Sequence, residues 1–392
     1  MSLPEQAATR VVGIVANPAS GKDVRRLTAR ASVFDNQEKA AIVRRCLAGI
    51  AAQQGRGQTA QEDSRAAVLV RYLPDSHNIV ASAADETRIA ATPLDIEASG
   101  TAADTRAAAQ ALKGAAAVIT LGGDGTNRAF AQGWLDAPLI PLSTGTNNAF
   151  PHMQEATAAG FAAALVAHGD VPLAAVSERA KAIHVAIEAE PDDLALIDAV
   201  ATTDRFLGAR AIVDPRTWIM AVLTRADPAA VGMTGVAGFA LPLAASCDSG
   251  VLIEFAAAER PATRVLHAPV APGHFADVAV AATHSVALNA PVHLQGPATL
   301  AFDGERERTL QPGQRATFTV RRDGPHVISV RRTLAHAATA GRLSVECGAL
   351  GAGEREGPPL ARGALSAGER EGPPLARGAR PAHLTSSNST GD

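Results

Sequence analysis

The sequence predicts an N-terminal α/β domain with a parallel sheet, followed by a mostly antiparallel all-β C-terminal domain and a disordered tail. In the first part, short continuous apolar runs alternate with amphipathic helical patterns, which is typical of βαβ units. Beyond about residue 182, short alternating runs are separated by turn residues, as in antiparallel sheets. The end of the chain has no apolar periodicity. We therefore place the domains at 10–155 and 156–333 and the tail at 342–392.

The first domain is predicted to contain four strands and two helices. Continuous apolar runs indicate strands that are buried on both faces of a parallel sheet. The longer helix has its apolar residues at helical spacing, with charged residues between them. In such a domain, ligands bind at the carboxyl ends of the strands. The strands are predicted at 11–16, 66–72, 115–121 and 138–142, and the helices at 34–54 and 105–113.

The second domain is predicted from nine short runs of alternating polarity. Turn residues such as Asp323-Gly324-Pro325 separate several of these runs, which favours antiparallel pairing. The runs are 183–187, 195–201, 209–213, 251–255, 278–280, 286–288, 299–302, 317–320 and 326–330.

The tail contains a duplicated phrase, Gly-Glu-Arg-Glu-Gly-Pro-Pro-Leu-Ala-Arg-Gly-Ala, which begins at Gly353 and again at Gly368. A segment rich in Gly, Pro and charge cannot bury enough apolar surface to offset the entropy of ordering. We therefore expect the tail to be disordered and to have no catalytic role.

Composition excludes several classes of function. A net charge of −3 and an aromatic content of 3% give no basis for nucleic-acid binding. The three cysteines are far apart, without metal-ligand spacing, which favours a reducing compartment. The N-terminus lacks the apolar segment of a signal peptide, and no run reaches the about 18 apolar residues that span a bilayer. We expect a cytoplasmic homo-oligomer that binds small molecules and neither membrane nor nucleic acid.

The most informative motif is Gly122-Gly123-Asp124-Gly125-Thr126, directly after a predicted buried strand. Glycines let the backbone approach a phosphate closely, and the carboxylate at the centre can act on a hydroxyl or a metal ion. The alternative is a simple chain reversal, because Asp-Gly is a common turn dipeptide. Three other motifs in the chain favour the phosphate-binding interpretation.

Two further motifs follow predicted strands of the same sheet. The first holds Asn17, Ser20, Gly21 and Lys22; it is not a P-loop, because Ala16 replaces the leading glycine and Asp23 the Ser or Thr. It can still offer amide, hydroxyl and ammonium donors to a phosphate, or be a plain Asn-Pro turn. The second motif comprises Thr144, Gly145, Thr146, Asn147 and Asn148. Its polar groups suit phosphate or ribose oxygens, or the capping of a helix.

The fourth motif, Asp303-Gly304-Glu305, lies between two predicted strands of the second domain. Most Asp-Gly pairs in that setting are hairpin turns.

Taken together and in this order, the four motifs resemble those of the ATP-NAD kinase superfamily, which includes NAD kinases and diacylglycerol/sphingosine kinases. Within it, the phrases at 12–21, 141–151 and 204–211 are similar to the acetoin-catabolism protein X type. The resemblance covers about residues 10–333. It implies an NAD kinase/diacylglycerol kinase-like fold, in which 10–155 is the nucleotide-binding domain and 156–333 the β-rich substrate domain.

The resemblance also implies roles for single residues. Asp124 is the key carboxylate, as catalytic base or as partner of Mg²⁺, and Asp303 and Glu305 match acids that assist catalysis in the lipid kinases. The ATP site is implied to consist of Asn17, Ser20, Gly21, Lys22, Gly122, Gly123, Gly125, Thr126, Thr144, Gly145, Thr146, Asn147 and Asn148. Phosphoryl transfer suits such a site, because it depends on positioning and charge neutralisation.

The acceptor side departs from the NAD kinase pattern. NAD kinases hold the dinucleotide with an Asn-Glu pair, where this chain has Ile197 and Asp198, and their Thr-Gly-Ser-Thr-Ala-Tyr phrase survives only in outline at 234–239. The resemblance implies phosphorylation of the adenosine ribose 2′-hydroxyl of NAD to give NADP, with ATP and Mg²⁺ as cofactors and Asp198 near the dinucleotide. Two alternatives remain: a lipid-like or small polyol acceptor on the same ATP site, and a non-catalytic nucleotide-binding accessory protein of acetoin catabolism.

Overall fold

A computed structural model describes residues 9–20, 35–54, 67–145, 148–204 and 214–344. These described residues form one compact unit. The predicted strand at 209–213 and nearly all of the predicted tail lie outside the described residues. The domain boundary at 155/156 stays a prediction.

The N-terminal half alternates strands and helices, as the sequence predicts. Its strands are β1 Thr9–Ala16, β2 Leu69–Tyr72, β3 Ala91–Pro93, β4 Ala115–Gly122, β5 Pro138–Ser143 and β6 Ser177–Arg179. Its helices are α1 Asn36–Gln54, α2 Ile79–Thr87, α3 Ala102–Ala111, α4 Asp124–Gly133, α5 Ala156–His168 and α6 Leu173–Val176. Strands β4 and β5 are buried almost throughout, which explains their continuous apolar sequences.

The second half is built mainly from antiparallel strands. They are β7 Ala182–Ile187, β8 Asp193–Ala195, β9 Asp198–Thr202, β10 Trp218–Leu223, β11 Ser249–Phe255, β12 Arg264–Ala271, β13 His274–Ala287, β14 Pro291–Gln295, β15 Ala298–Phe302, β16 Glu305–Leu310 and β17 Arg315–Arg321. A 3₁₀ turn, Pro215–Thr217, and helix α7, Met233–Ala240, interrupt them. The chain then ends its described part with strand β18, His326–Ile328, and helix α8, Val330–Thr339.

Three sheets organise these strands. The first has the order β3-β2-β1-β4-β5-β18-β6, the second β12-β13-β11-β10-β9-β15-β16, and the third β14-β17-β7-β8. In the first sheet all neighbours pair in parallel except β18 and β6. The predicted fold class, a parallel α/β part followed by a mostly antiparallel β part, is confirmed.

Helix α1 crosses α5 at very short distance. A β carbon at Gly49 would overlap the carbonyl oxygen of Thr157, and one at Gly160 would overlap that of Cys46. Both positions therefore require glycine. Cys46, Leu47 and Ile50 of α1 are fully buried on this face. The crossing fixes α1 relative to the segment that follows β5.

The structure differs from four of the predicted strands. The run 326–330 was assigned to the β domain, but β18 pairs in parallel with β5, and Ser329 caps α8 through the Arg332 amide. The run 195–201 is interrupted at 196–197, where the backbone amides turn to a carboxylate described below. The runs 278–280 and 286–288 lie mainly within the single long strand β13. Alternation predicts a strand but does not identify its partner.

No helix in the described part of the chain is both long and apolar enough to cross a membrane.

Candidate functional site

Three turns with polar residues meet at the carboxyl edge of the first sheet. Strands β1, β4 and β5 are neighbours, with Ala16 opposite Leu121 and Gly122 opposite Ser143. The turns that follow them therefore begin at the same level of the sheet. This is the edge where ligands bind in open α/β sheets.

Side-chain hydrogen bonds join the three turns. Asn17 Nδ2 donates to Thr126 Oγ1 at 2.8 Å, and the hydroxyls of Ser20 and Thr144 lie 2.9 Å apart. The Thr144 amide also donates to the Gly122 carbonyl at 3.4 Å. The structure thus brings together one residue or more from each of the first three sequence motifs. Gly21, Lys22, Thr146 and Asn147 lie outside the described residues.

Close packing leaves little room for a side chain at Gly122 and Gly123. A β carbon on Gly122 would overlap the Thr126 side chain, and one on Gly123 would lie 2.9 Å from Asn148 Oδ1. Gly123 is the residue before α4, and it offers that helix no side-chain cap. The first amides of α4 accordingly face the edge without a cap from this residue.

Asp124 opens helix α4 and connects it to the turn after β5. Its Oδ1 accepts hydrogen bonds from the Ala149 amide at 3.1 Å and the Phe150 amide at 2.7 Å, and its Oδ2 from Ala149 at 3.0 Å. The residue is half-buried. These bonds fix the carboxylate of Asp124 against the turn that follows β5.

The side-chain amides of Asn148 and Asn127 stabilise the turns through hydrogen bonds. Asn148 Nδ2 donates to Ser143 Oγ at 2.7 Å, which shapes the turn after β5. Asn127 is fully buried: its Oδ1 accepts from Thr120 Oγ1 at 2.7 Å, and its Nδ2 donates to the Gly123 carbonyl at 2.9 Å. Asn127 directly continues the central motif but is not among the site residues predicted from the sequence.

Asp303 lies in a second Asp-Gly turn, at the end of β15. It adopts a left-handed conformation with φ of 52° and is 6% exposed. Its carboxylate accepts the amides of Leu196 at 2.8 Å, Ile197 at 2.7 Å and Asp198 at 3.1 Å. Burial raises the pKa of Asp303 to about 7; the charge of Asp124 adds to the effect, and the amides of Leu196 and Ile197 oppose it.

The acidic residues of the two turns are electrostatic neighbours. The charge of Asp124 contributes to the raised pKa of Asp303, so the fold brings the second and fourth motifs close together. The backbone amide of Asp198 donates a hydrogen bond to the Asp303 carboxylate, which holds Asp198 next to the second Asp-Gly turn. Glu305 begins β16, and the structure does not describe its side chain.

Arg225 is a cation that the sequence analysis missed. Its Nη1 donates to the Ala149 carbonyl at 3.0 Å, and its guanidinium lies 5.8 Å from the centre of the Phe150 ring. Burial lowers the pKa of Arg225, while the charges of Asp124 and Asp303 oppose this effect. Its Nε is buried and has no hydrogen-bond partner among the described residues. A short Thr-Arg-x-Asp phrase was the only sequence signal for it.

A second arginine joins helix α4 to the β part of the chain. Arg128 Nε donates to the Leu194 carbonyl at 2.6 Å, and its Nη2 pairs with Asp193 at 2.7 Å. Its guanidinium also lies over Phe302, beside Asp303. Burial alone would raise the pKa of Asp193, but the charge of Arg128 and hydrogen bonds from Leu194, Arg128 and Gln132 lower it.

A buried lysine supports the first turn. Lys39, on α1, is fully buried, and its Nζ donates to the carbonyls of Asn17 and Pro18 at 3.0 Å and of Ser20 at 2.6 Å. It also donates to Asn36 Oδ1 at 3.1 Å. From the sequence, Lys22 was the lysine predicted to offer an ammonium group to a phosphate at this turn. Lys39 was not among the predicted site residues.

The donor set limits which metal ion fits. The described residues contain no group of three or more His, Cys, Asp or Glu side chains that could hold a metal. Mg²⁺ commonly takes one or two carboxylates, with the remaining ligands from phosphates and water. Asp124 therefore fits Mg²⁺ as one ligand to an ion carried by a phosphorylated compound.

Comparisons with known proteins agree with the motif resemblance. A family model of the ATP-NAD kinase N-terminal domain matches residues 12–171, and a model of the acetoin catabolism protein X C-terminal domain matches residues 181–323. Acetoin catabolism protein X of Cupriavidus necator is 34% identical over 334 residues, which cover 83% of this chain and 92% of that protein. The predicted resemblance is confirmed.

Two of the solved structures that match this chain are those of kinases. The crystal structure of yeast NADH kinase complexed with NADH has a TM-score of 0.44 and 11% identity, covering 91% of this chain and 95% of that chain. The crystal structure of an NAD kinase from Archaeoglobus fulgidus in complex with ATP has a TM-score of 0.37 and 16% identity, covering 70% of this chain and 98% of that one.

Proposed function

The chain belongs to the acetoin catabolism protein X family, and on that premise we propose that it is an ATP-dependent kinase of the NAD kinase type. In this proposal the γ-phosphoryl group of ATP passes to a hydroxyl, first of all the adenosine ribose 2′-hydroxyl of NAD, to give NADP. The observation that carries the proposal is the set of three turns joined through Asn17–Thr126 and Ser20–Thr144. It supports a preformed phosphate site at the carboxyl edge of the sheet.

Each of the three turns supplies hydrogen-bond donors to ATP in this proposal. In it, the amides around Gly122 and Gly123 donate to the phosphates. The side chains of Asn17, Ser20, Thr126, Thr144 and Asn148 join them when ATP displaces the hydrogen bonds that these side chains now form within and between the turns. The N-terminal end of α4 adds the positive end of a helix dipole. Such fixed donors need no reorganisation as charge develops during phosphoryl transfer.

Asp124 is the proposed catalytic carboxylate. Its fixed position, held by the amides of Ala149 and Phe150, suits a group that orients the acceptor hydroxyl and takes its proton. It is also the proposed protein ligand of Mg²⁺, which neutralises phosphate charge when bound with ATP.

Asp303 and Arg225 are proposed to assist from the β part of the chain. Asp303 is buried and accepts all three of its observed hydrogen bonds from backbone amides, so we assign it to shaping the segment 196–198. Arg225 has a free Nε donor beside both acids, which suits an anionic group of a ligand.

One observation favours a different acceptor on the same ATP site. Ile197, at the position where NAD kinases have Asn, is 1% exposed and packs in an apolar cluster. It offers no polar group to a ribose, so a lipid-like or small polyol hydroxyl is the second candidate. A non-catalytic accessory protein of acetoin catabolism is the third, and it differs in giving no product.

The experiment incubates the purified full chain with ATP, MgCl₂ and one acceptor at a time: NAD, NADH, glycerol or a short-chain diacylglycerol. Mass spectrometry then detects any product heavier by one phosphoryl group. NADP formation that Asp124→Asn abolishes supports the leading proposal, and another phosphorylated acceptor supports the second. Calorimetric ATP binding without any product favours the accessory protein. Absence of ATP binding refutes all three.

A further inference from the structure

Lys39 forms hydrogen bonds to three of the four described residues of the first turn, 17–20. Three of its acceptors are main-chain carbonyls, those of Asn17, Pro18 and Ser20, at 2.6–3.0 Å. The fourth is Asn36 Oδ1 at 3.1 Å. Four oxygens converging on one nitrogen resemble the environment of a bound cation, here supplied by a side chain.

Complete burial makes this arrangement costly. An ammonium group removed from water is unfavourable unless hydrogen bonds compensate it, and lysine is almost never fully buried without partners. Lys39 is 0% exposed. A methionine or leucine at this position of α1 could fill the same buried space without the cost of a buried charge. The ammonium therefore has a role beyond filling the core.

The hydrogen bonds lead from Lys39 directly to the proposed phosphate donors. The Asn17 carbonyl accepts from both Lys39 Nζ and Ser20 Oγ, the latter at 2.8 Å. Ser20 Oγ in turn meets Thr144, and the Asn17 side chain meets Thr126. One nitrogen atom thus fixes the turn whose side chains reach both of the other turns.

The backbone that carries Lys39 is itself fixed. Helix α1 crosses α5 through Gly49 and Gly160 without room for a β carbon. Since α5 follows the turn after β5, the position of Lys39 is set relative to that turn and to β1 together.

We propose that Lys39 is a positioning residue of the nucleotide site, whose ammonium orders the turn after β1 so that Asn17 and Ser20 can bind phosphate. This inference rests on the proposed function for its ligand, ATP. Its structural part, the ordering of the turn, can be measured without ATP.

The experiment compares three variants of the full chain. Lys39→Met removes the ammonium. Asn36→Asp keeps it but adds a carboxylate that draws it away from the carbonyls. The Asn36 amide nitrogen is buried without a partner among the described residues, and an acid suits the first turn of a helix, so this variant should fold at least as stably. Lys113→Met, at an exposed position, is the control for loss of one positive charge.

Calorimetry measures ATP affinity, and hydrogen–deuterium exchange follows peptides that cover 11–20 and 115–130. We expect Lys39→Met to lower ATP affinity by about tenfold or more and Asn36→Asp by a few-fold. Both should speed exchange in these peptides but not in one covering 274–287. The Lys113→Met variant should match the wild type. Melting temperatures show whether Asn36→Asp remains stable while its affinity falls, which a purely structural role would not produce.

Unchanged ATP affinity and exchange in Asn36→Asp and in folded Lys39→Met would overturn the inference. If Lys39→Met does not fold, Asn36→Asp alone decides. If the wild type binds no ATP, the proposed function fails, whereas exchange at 11–20 still decides whether Lys39 orders the turn.

Discussion

The two Asp-Gly turns of this chain share a dipeptide and differ in almost everything else. Asp124 opens a helix, is half-buried and accepts amides from the turn after the next strand. Asp303 has a left-handed backbone, is 6% exposed and accepts three successive amides of the segment 196–198. The first carboxylate stands at an edge with donors from three turns, and the second is enclosed. An identical short motif can therefore present an acid or bury it, depending on the element that follows.

The two turns also lie in different parts of the proposed site: Asp124 on the side assigned to ATP, and Asp303 on the side assigned to the acceptor. The region around Asp124 carries the motifs to which we assign phosphate binding, and its polar groups hydrogen-bond to each other across turns. The region around Asp303 has an apolar Ile197 where NAD kinases have Asn. The proposed ATP side therefore follows the NAD kinase pattern more closely than the proposed acceptor side does.

The largest expected effect concerns protonation of Asp303. Its pKa in the folded protein is about 7, above the ordinary value of an unfolded aspartate, so the folded state favours the protonated acid. This contribution to the free energy of unfolding is fully present below about pH 4 and is lost as the pH rises to about 7, up to about 4 kcal/mol. Urea unfolding between pH 4 and 8 measures it. Asp303→Asn should flatten this part of the profile; an unchanged profile would show that Asp303 does not titrate as stated.

Asp124→Asn should lower kinase activity by about 100- to 1000-fold, because the amide cannot accept the hydroxyl proton. Steady-state rates with the acceptor found active, at saturating ATP, measure the effect. The exposed Asp95→Asn serves as a control and should retain full activity. Equal losses in Asp124→Asn and Asp303→Asn would remove the contrast between the two turns.

Arg225→Met should weaken binding of an anionic ligand by about ten- to thirtyfold, since the variant keeps the packing and removes the charge beside both acids. Titration calorimetry with ATP and, separately, with NAD shows which ligand the guanidinium contacts. The exposed Arg216→Met controls for the net charge. Wild-type affinity for both ligands would exclude Arg225 from the site.

The smallest expected effect concerns Ile197, on the proposed acceptor side of the site. Ile197→Val should lower the free energy of unfolding by about 1 kcal/mol through one lost methyl group in the core, and leave kcat unchanged. Denaturant unfolding and steady-state kinetics test the two parts separately. A large change in KM for the acceptor would instead place Ile197 in contact with substrate.

The parts of the fold that could be predicted depend on local pattern. Strands β1, β4 and β5 are continuous apolar runs, and the glycine-rich turns follow them directly, so the edge of the sheet could be inferred. Lys39 could not, because a single lysine in a helix usually points to solvent. Arg225 could not either, since its neighbours Ala149, Asp124 and Asp303 are distant in sequence. The pairing of β18 with β5 could not be predicted either, because the two strands are distant in sequence and alternation does not identify a strand's partner.

The position of β18 has a consequence for biosynthesis. Strand β5 is buried along its whole length and lies between β4 and β18 in the sheet. A ribosome that has made Ser143 must continue to Ile328 before that partner exists, about 10 to 40 s at ordinary elongation rates. During this interval the nascent chain carries an unprotected apolar strand edge, the kind of surface that chaperones cover and that aggregates when they do not. Expression of the N-terminal half alone would make that exposure permanent.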